Sequence, residues 1–235
     1  MSQCLKIFHL DLDQIEIAII YLHFVLDEWF EKIVKKESKG FAGMVRYADD
    51  SVACFEHKEE AEKYLRSVKT RLGMFGLEIS EEKTKIIEFG RYANQNRRNR
   101  GEKKPETFDF LGFTHYCSQG KEGKFRVKRK TSRKKKQAKL KEMKIWLRTR
   151  MQENVTETVK LLNVKLQGYY RYYGITDNTN AIREFYEKIL WQLYKMLNRR
   201  SQKRSYNWQE YYQKIGKRIN KPQIYVDIVR MSYVM

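Results

Sequence analysis

Two adjacent carboxylates, Asp49 and Asp50, stand between two short β-prone runs, Met44 to Ala48 and Ser51 to Phe55. The pattern predicts a hairpin with the Asp-Asp pair in its tight turn and both acids at one exposed tip. Neighbouring anions repel, and a divalent cation is the usual relief. Mg²⁺ is a hard ion that takes few protein carboxylates and completes its shell with water and substrate phosphates, which is what nucleotidyl transfer requires. An isolated Asp-Asp dipeptide is also ordinary chemistry for a solvated turn. The surrounding sequence has to decide between the two.

The elements that would position this pair are legible in part. Apolar residues from Ile19 to Lys36 fall at helical spacing and predict a helix feeding the first strand. Ala61, Tyr64, Leu65, Val68, Leu72 and Phe75 form one helical stripe within His57 to Phe75, with Gly76 as its stop. Leu77 to Ser80 and Lys85 to Phe89 read as short strands, and Arg91 to Lys104 as an exposed loop. Phe108 to Tyr116, broken by Gly112, reads as a strand that Phe125 to Lys128 can pair with. Residues 1 to 18 remain unassigned. The fold class expected is α+β, an antiparallel sheet with helices on one face, followed by an all-helical second domain with its boundary near Lys130. In that second part, Thr131 or Ser132 opens a long basic helix to about Arg150. Asn154 or Thr156 opens one reaching Gly168, Asn178 or Asn180 opens a third, and Asn207 a short fourth.

Composition narrows the partners. The chain has 235 residues and a formal charge of +20, which implies a polyanion. From Arg91 to Arg150 there are 21 Lys and Arg against 5 Asp and Glu, so this stretch carries +16 of the total. Charge runs are often solvated helix faces, yet one this one-sided, beside a metal-type carboxylate pair, favours phosphate contact and nucleic acid over an anionic membrane surface. No apolar run is long enough to span a bilayer, and none reads as a secretory signal. Cys4, Cys54 and Cys117 are widely spaced without a CxxC pair, which suggests a reducing compartment and no zinc site.

Tyr47-Ala48-Asp49-Asp50 between apolar strands resembles the catalytic tetrad of reverse transcriptases. Gly76-Leu77-Glu78-Ile79-Ser80-Glu81-Glu82-Lys83-Thr84 is similar to the next polymerase motif, and Phe108-Asp109-Phe110-Leu111-Gly112-Phe113 to the strand pair that grips the primer. Leu166 to Gly174, with its tyrosines, and Leu197 to Lys203 resemble the thumb, or maturase, domain of group II intron-encoded proteins. The resemblance implies an unassigned segment 1–18, a partial palm over 19–130 and a helical thumb over 131–235. It implies the C-terminal part of such a protein, with the fingers and first palm motifs absent from the chain.

On that resemblance Asp49 and Asp50 are the metal ligands of a two-Mg²⁺ site that is incomplete here, and Lys83 sits near the leaving pyrophosphate. Tyr47 and Ala48 lie by the nucleotide or primer end, and Phe110, Leu111 and Gly112 support the primer. Asp11 and Asp13 mimic a carboxylate-bearing strand. Arg129, Lys130, Arg133, Lys134, Lys135, Lys136, Tyr169, Tyr170, Arg171, Tyr172, Arg199, Arg200, Lys203 and Arg204 are the RNA-binding set. Each also has a plainer reading: Lys83 as a surface lysine, Phe110 to Phe113 as a core strand, the tyrosines as helix core, and the arginines as caps of a helix C-terminus. The activity implied is binding of group II intron RNA to assist splicing and mobility, without polymerising alone. The alternatives are an RNA-directed DNA polymerase on an RNA template and DNA primer, completed by a partner chain, or a non-catalytic splicing factor only. A homodimer or an N-terminal complementing chain would cover the open palm edge. The setting implied is a bacterial cytoplasm near the nucleoid, or an organelle, with no membrane.

Overall fold

The computed structural model describes residues 20–120, 122–200 and 205–228, and the backbone of residues 3–7. The fold is α+β with antiparallel sheets, and the chain divides into two compact units. One comprises residues 1–111 and 115–128, the other 112–114 and 129–235.

The first unit is built on a four-stranded sheet of β1 (Gln3–Ile7), β2 (Ala42–Tyr47), β3 (Asp50–Phe55) and β4 (Lys85–Glu88), in the order β2-β3-β1-β4. The unassigned N-terminal stretch thus supplies an inner strand, pairing antiparallel with β3 on one side and β4 on the other. The edges of this sheet are β2 and β4.

Strand alternation separates two faces. Ala42 with Phe55, and Met44 with Ala53, are cross-strand partners on the side covered by helices. These helices are α1 (residues 20–37, winding wide over His23–Asp27 and Phe30–Val34) and α2 (Lys58–Met74). Helix α2 buries Ala61, Tyr64, Val68 and Leu72 of the predicted stripe, with Leu65 partly buried, while Phe75 follows the helix and is exposed. It stops at Gly76, whose positive φ of 70° lets Gly76 N–H reach the Gly73 carbonyl and Leu77 N–H the Leu72 carbonyl. Phe30, Phe55 and Tyr64 meet at centroid distances of 5.2 to 6.0 Å and anchor this core. Each fully buried ring of this kind contributes about 1.5–3 kcal/mol.

On the other face Val52, Cys54 and Ile87 pack with a three-stranded sheet of β5 (Phe108–Phe110), β6 (Phe113–Gln119) and β7 (Phe125–Thr131). Outside the β2–β3 hairpin, two expectations fail in this unit. Leu77 to Ser80 is not a strand, although Leu77 and Ile79 still pack on the helix-side core as a strand's apolar residues would. The stretch expected to be a loop contains α3 (Ala93–Asn99), closed by Gly101 at φ 71°. There Arg100 bonds Glu88 and Glu102, and Asn96 bonds Glu88 at 2.9 Å. Those pairings give a polar segment a reason to coil that apolar periodicity does not reveal.

The second unit is helical: α4 (Arg133–Thr149), α5 (Val155–Tyr173), α6 (Thr179–Leu197) and α7 (Trp208–Lys214). Its core gathers Leu147, Leu162, Leu166, Tyr170, Phe185, Ile189, Leu193 and Tyr211. Asn154 caps α5 by accepting from Thr156 and Glu157, and Asn207 caps α7 in a reciprocal capping box with Glu210. Helix α5 does not end at Gly168 but runs one further turn to Tyr173, because Tyr169 and Tyr170 are core residues that prolong its buried stripe. Asn178, expected as a cap, makes no capping bond. Almost fully buried, it accepts from Thr131 N–H at 2.7 Å and donates to Thr131 Oγ1 at 2.7 Å and to the Tyr173 carbonyl at 2.9 Å. No helix among the described residues is long and apolar enough to cross a membrane.

Candidate functional site

The hairpin exists, with its two-residue turn one position earlier than the sequence suggests. Tyr47 pairs with Asp50 in the β2–β3 register, so the connection is two residues, Ala48 and Asp49, and Asp50 is the first residue of β3. Only Asp49 is a turn residue. Ala48 sits at φ 52°, a left-handed conformation that side chains with a Cβ rarely adopt. A two-residue hairpin needs positive φ at its first central position, and the chain accepts that strain in alanine.

What holds the strain is Arg46, three residues before Asp49. It lies on the helix-covered face with Ala42 and Met44, its side chain 10% exposed. Its Nε and one terminal nitrogen donate to the two Asp27 oxygens at 2.7 and 2.5 Å, and the other terminal nitrogen donates to the Ala48 carbonyl at 2.7 Å. The strained peptide is therefore clamped to α1. The sequence carried a usable sign of this, since Ala42-Met44-Arg46 alternates and an inward arginine needs a carboxylate partner.

Tyr47 shares its face with Val45 and Asp50 and is 64% exposed, open to a ligand. Lys83 is exposed in the turn Ser80 to Thr84. Because β4 begins at Lys85 opposite Lys6, and Ile7 lies opposite Ser51, that turn stands at the same end of the sheet as Asp49. Two interstrand spacings, about 10 Å, separate the strands that carry them.

Asp49 and Asp50 are adjacent, partly exposed carboxylates, a donor set that suits one hard cation sharing its shell with water and phosphates. Among the described residues no group of three or more acidic, histidine or cysteine side chains gathers, so the fit reaches two ligands. Asp11 and Asp13 lie outside the described residues.

Phe110 is core, packed with Val52, Ile87 and Phe108. Leu111 and Gly112 make the β5–β6 turn at φ 49° and 76°. That is a second tight turn holding a non-glycine residue in the left-handed region. A Cβ on Gly112 would fall 2.8 Å from the Tyr173 hydroxyl.

In the helical unit, Arg133, Lys134 and Lys135 open α4, all exposed and without an ion pair among the described residues. Arg129 and Lys130 precede them in β7. Lys136 belongs elsewhere: its ammonium binds Glu184 on α6 at 2.5 Å. Tyr169 and Tyr170 are also not surface groups. Tyr169 stacks on Phe185 at 3.9 Å and Tyr170 donates to the Asn220 carbonyl at 3.3 Å, so neither ring is free to meet a base. Burial pushes both phenols up and keeps them neutral. Arg171, Tyr172 and Arg199 are exposed. Arg200 donates to the Arg150 carbonyl at 3.2 Å, closing the end of α4 as a C-terminal cap. Lys203 and Arg204 lie outside the described residues.

Residues 17–115 match the family model described as reverse transcriptase (RNA-dependent DNA polymerase). The match spans Tyr47, Asp49, Asp50, Lys83 and the Leu111-Gly112 turn, and leaves the helical unit from Arg129 onward outside it. No curated protein matches the chain.

Proposed function

We propose that this chain is an RNA-holding protein of reverse-transcriptase type that serves a group II intron. In this reading the basic helical unit binds intron RNA and favours its folded form, assisting splicing and mobility, while the RNA supplies the splicing chemistry. A protein that binds the folded RNA more tightly than the unfolded one stabilises it by that difference alone. The observation that carries the reading is the run Arg133, Lys134 and Lys135, three consecutive exposed cations unpaired among the described residues. Phosphate contacts neutralise such cations and release counterions, so binding has to weaken with salt. Filter binding of a structured intron RNA at about 50 and 200 mM salt tests this. The triple change Arg133→Glu, Lys134→Glu, Lys135→Glu is expected to abolish tight binding with the circular dichroism unchanged. Lys136 is left in place because it belongs to the fold. Affinity indifferent to both salt and the triple change rejects the reading.

A second reading, RNA-directed DNA polymerase on an RNA template and DNA primer with a partner chain completing the palm, is favoured by the shared sheet end of Asp49 and the Lys83 turn. Asp49 and Asp50 would hold Mg²⁺, which when bound neutralises phosphate charge and activates a hydroxyl. The exposed Tyr47 ring offers an apolar floor beside them, and Lys83 a positive charge for a leaving phosphate. Primer extension that Asp49→Asn abolishes would establish this activity. Its absence from the chain, alone and with a complementing fragment, would leave the RNA-holding role.

A further inference from the structure

Within the helical unit, α4 and α5 enclose a groove of about 510 Å³. Its walls are two helical stripes. Lys135, Lys139 and Glu142 stand at i, i+4 and i+7 on α4, and Lys165, Gly168 and Tyr172 at i, i+3 and i+7 on α5.

Gly168 is the anomaly among them. It lies inside a 19-residue helix, where glycine weakens the structure relative to alanine. A Cβ built on it would meet nothing within 4 Å, so no neighbour in the fold requires the side chain to be missing. Its effect is to bare the backbone of α5 toward the groove, as a close-approaching ligand would need.

One turn further, Tyr172 keeps 55% of its surface in water. Its ring is stacked on Phe113 at 6.0 Å with planes 14° apart, and Tyr173 meets it edge-on at 4.7 Å. A planar group added from the groove would extend a stack already begun. The flanking charge is three lysines against one glutamate. Glu142 pairs with Lys139 at 2.8 Å, and the Lys165 ammonium lies 5.4 Å from the Trp146 ring centroid. Lys135 is exposed and without an ion pair among the described residues.

The geometry points to a site for one unstacked nucleotide of a single strand, its base against Tyr172 above Gly168 and its phosphate between Lys135 and Lys165. Every base has a face to stack, whereas a base within a duplex is not free to do so. The inference rests on the nucleic-acid reading above and narrows it to single strands at one groove.

Fluorescence anisotropy on the full chain, with a short labelled oligouridylate, an oligothymidylate and an RNA duplex as probes, tests it. Gly168→Ala is expected to raise Tm, since alanine favours the helix and meets no neighbour, while weakening both single strands. A folding defect cannot produce that pair of changes. Tyr172→Ala is expected to weaken single strands about tenfold and the duplex by less than about twofold, with Tyr172→Phe close to the parent. Equal losses for the two single strands mean that stacking and phosphate alone are read. Loss confined to oligouridylate assigns the site to RNA. The site is overturned if Gly168→Ala raises Tm and leaves single-strand affinity unchanged, or if Tyr172→Ala weakens strand and duplex alike. A parent chain that binds the duplex tightly but gains or loses nothing in these variants removes the groove only. One that binds no probe removes the nucleic-acid reading as well.

Discussion

Ala48 spends conformational energy that a glycine in the same turn would not, and the strain sits one residue from the carboxylate most suited to a metal. Left-handed backbone costs about 1–2 kcal/mol for a residue with a Cβ. Ala48→Gly is therefore expected to raise stability by up to about 1 kcal/mol, read as a higher urea midpoint with an unchanged slope. A lower midpoint would mean that the alanine methyl is packed. The clamp that holds the turn makes a larger claim. Arg46→Met leaves Asp27 with the His23 ring at 3.4 Å in place of its guanidinium partner and frees the Ala48 carbonyl, with an expected loss of about 1–3 kcal/mol. Adding Asp27→Leu to that variant removes the carboxylate, so the double change should cost less than Arg46→Met alone. Strictly additive losses would show that the two residues do not act as a pair. Strand alternation could have placed Arg46 inward, whereas Asp27 could be found only once α1 was folded against β2.

Elements show where periodicity suffices and where it does not. The α2 stripe, the Gly76 stop, the Asn154 and Asn207 caps and the long basic α4 were all legible, because each is a local matter of spacing or end chemistry. Strand β1 was not, since five residues with mixed polarity become a strand only when β3 and β4 are there to pair with them. Helix α3 was missed for a related reason, being fixed by ion pairs to Glu88 and Glu102 rather than by an apolar face. The hairpin was found and its turn misplaced by one residue, an offset that only the register resolves. Between α4 and α6 one link is Lys136 to Glu184, beside the bond from Gln192 to the Leu140 carbonyl. Hydrogen bonds from Lys136, then Lys188, hold the Glu184 carboxyl down at about 2, against an ordinary value of 4.5. The folded state thus favours the ionised form, so the pair's stabilisation is present above about 4.5 and fades as pH falls through about 2. Glu184 is nearly half exposed, which keeps the effect below about 1 kcal/mol. Glu184→Gln should lower Tm at neutral pH and leave it unchanged near pH 2. An equal drop at both would assign the loss to packing.

At the scale of the whole molecule, charge and chemistry occupy different stretches of the chain. The carboxylate hairpin lies in the segment that matches reverse transcriptases, while Arg91 to Arg150, more than half of it beyond that match, carries +16 of a net +20. If the basic run opening α4 touches phosphates, its contribution has to appear in the salt dependence of binding and not only in the affinity. Each phosphate contact to a single strand adds about 0.7 to the slope of log K against log salt. Neutralising Arg133, Lys134 and Lys135 to Gln should then flatten that slope by about 2, read by titrating RNA binding across a range of salt concentrations. Asp49→Asn should leave it unmoved, since that residue is invoked for chemistry and not for holding. A weaker affinity with an unaltered slope would mean that the three cations shape the surface without meeting the backbone. A flattening caused by Asp49→Asn would put the hairpin in the RNA path.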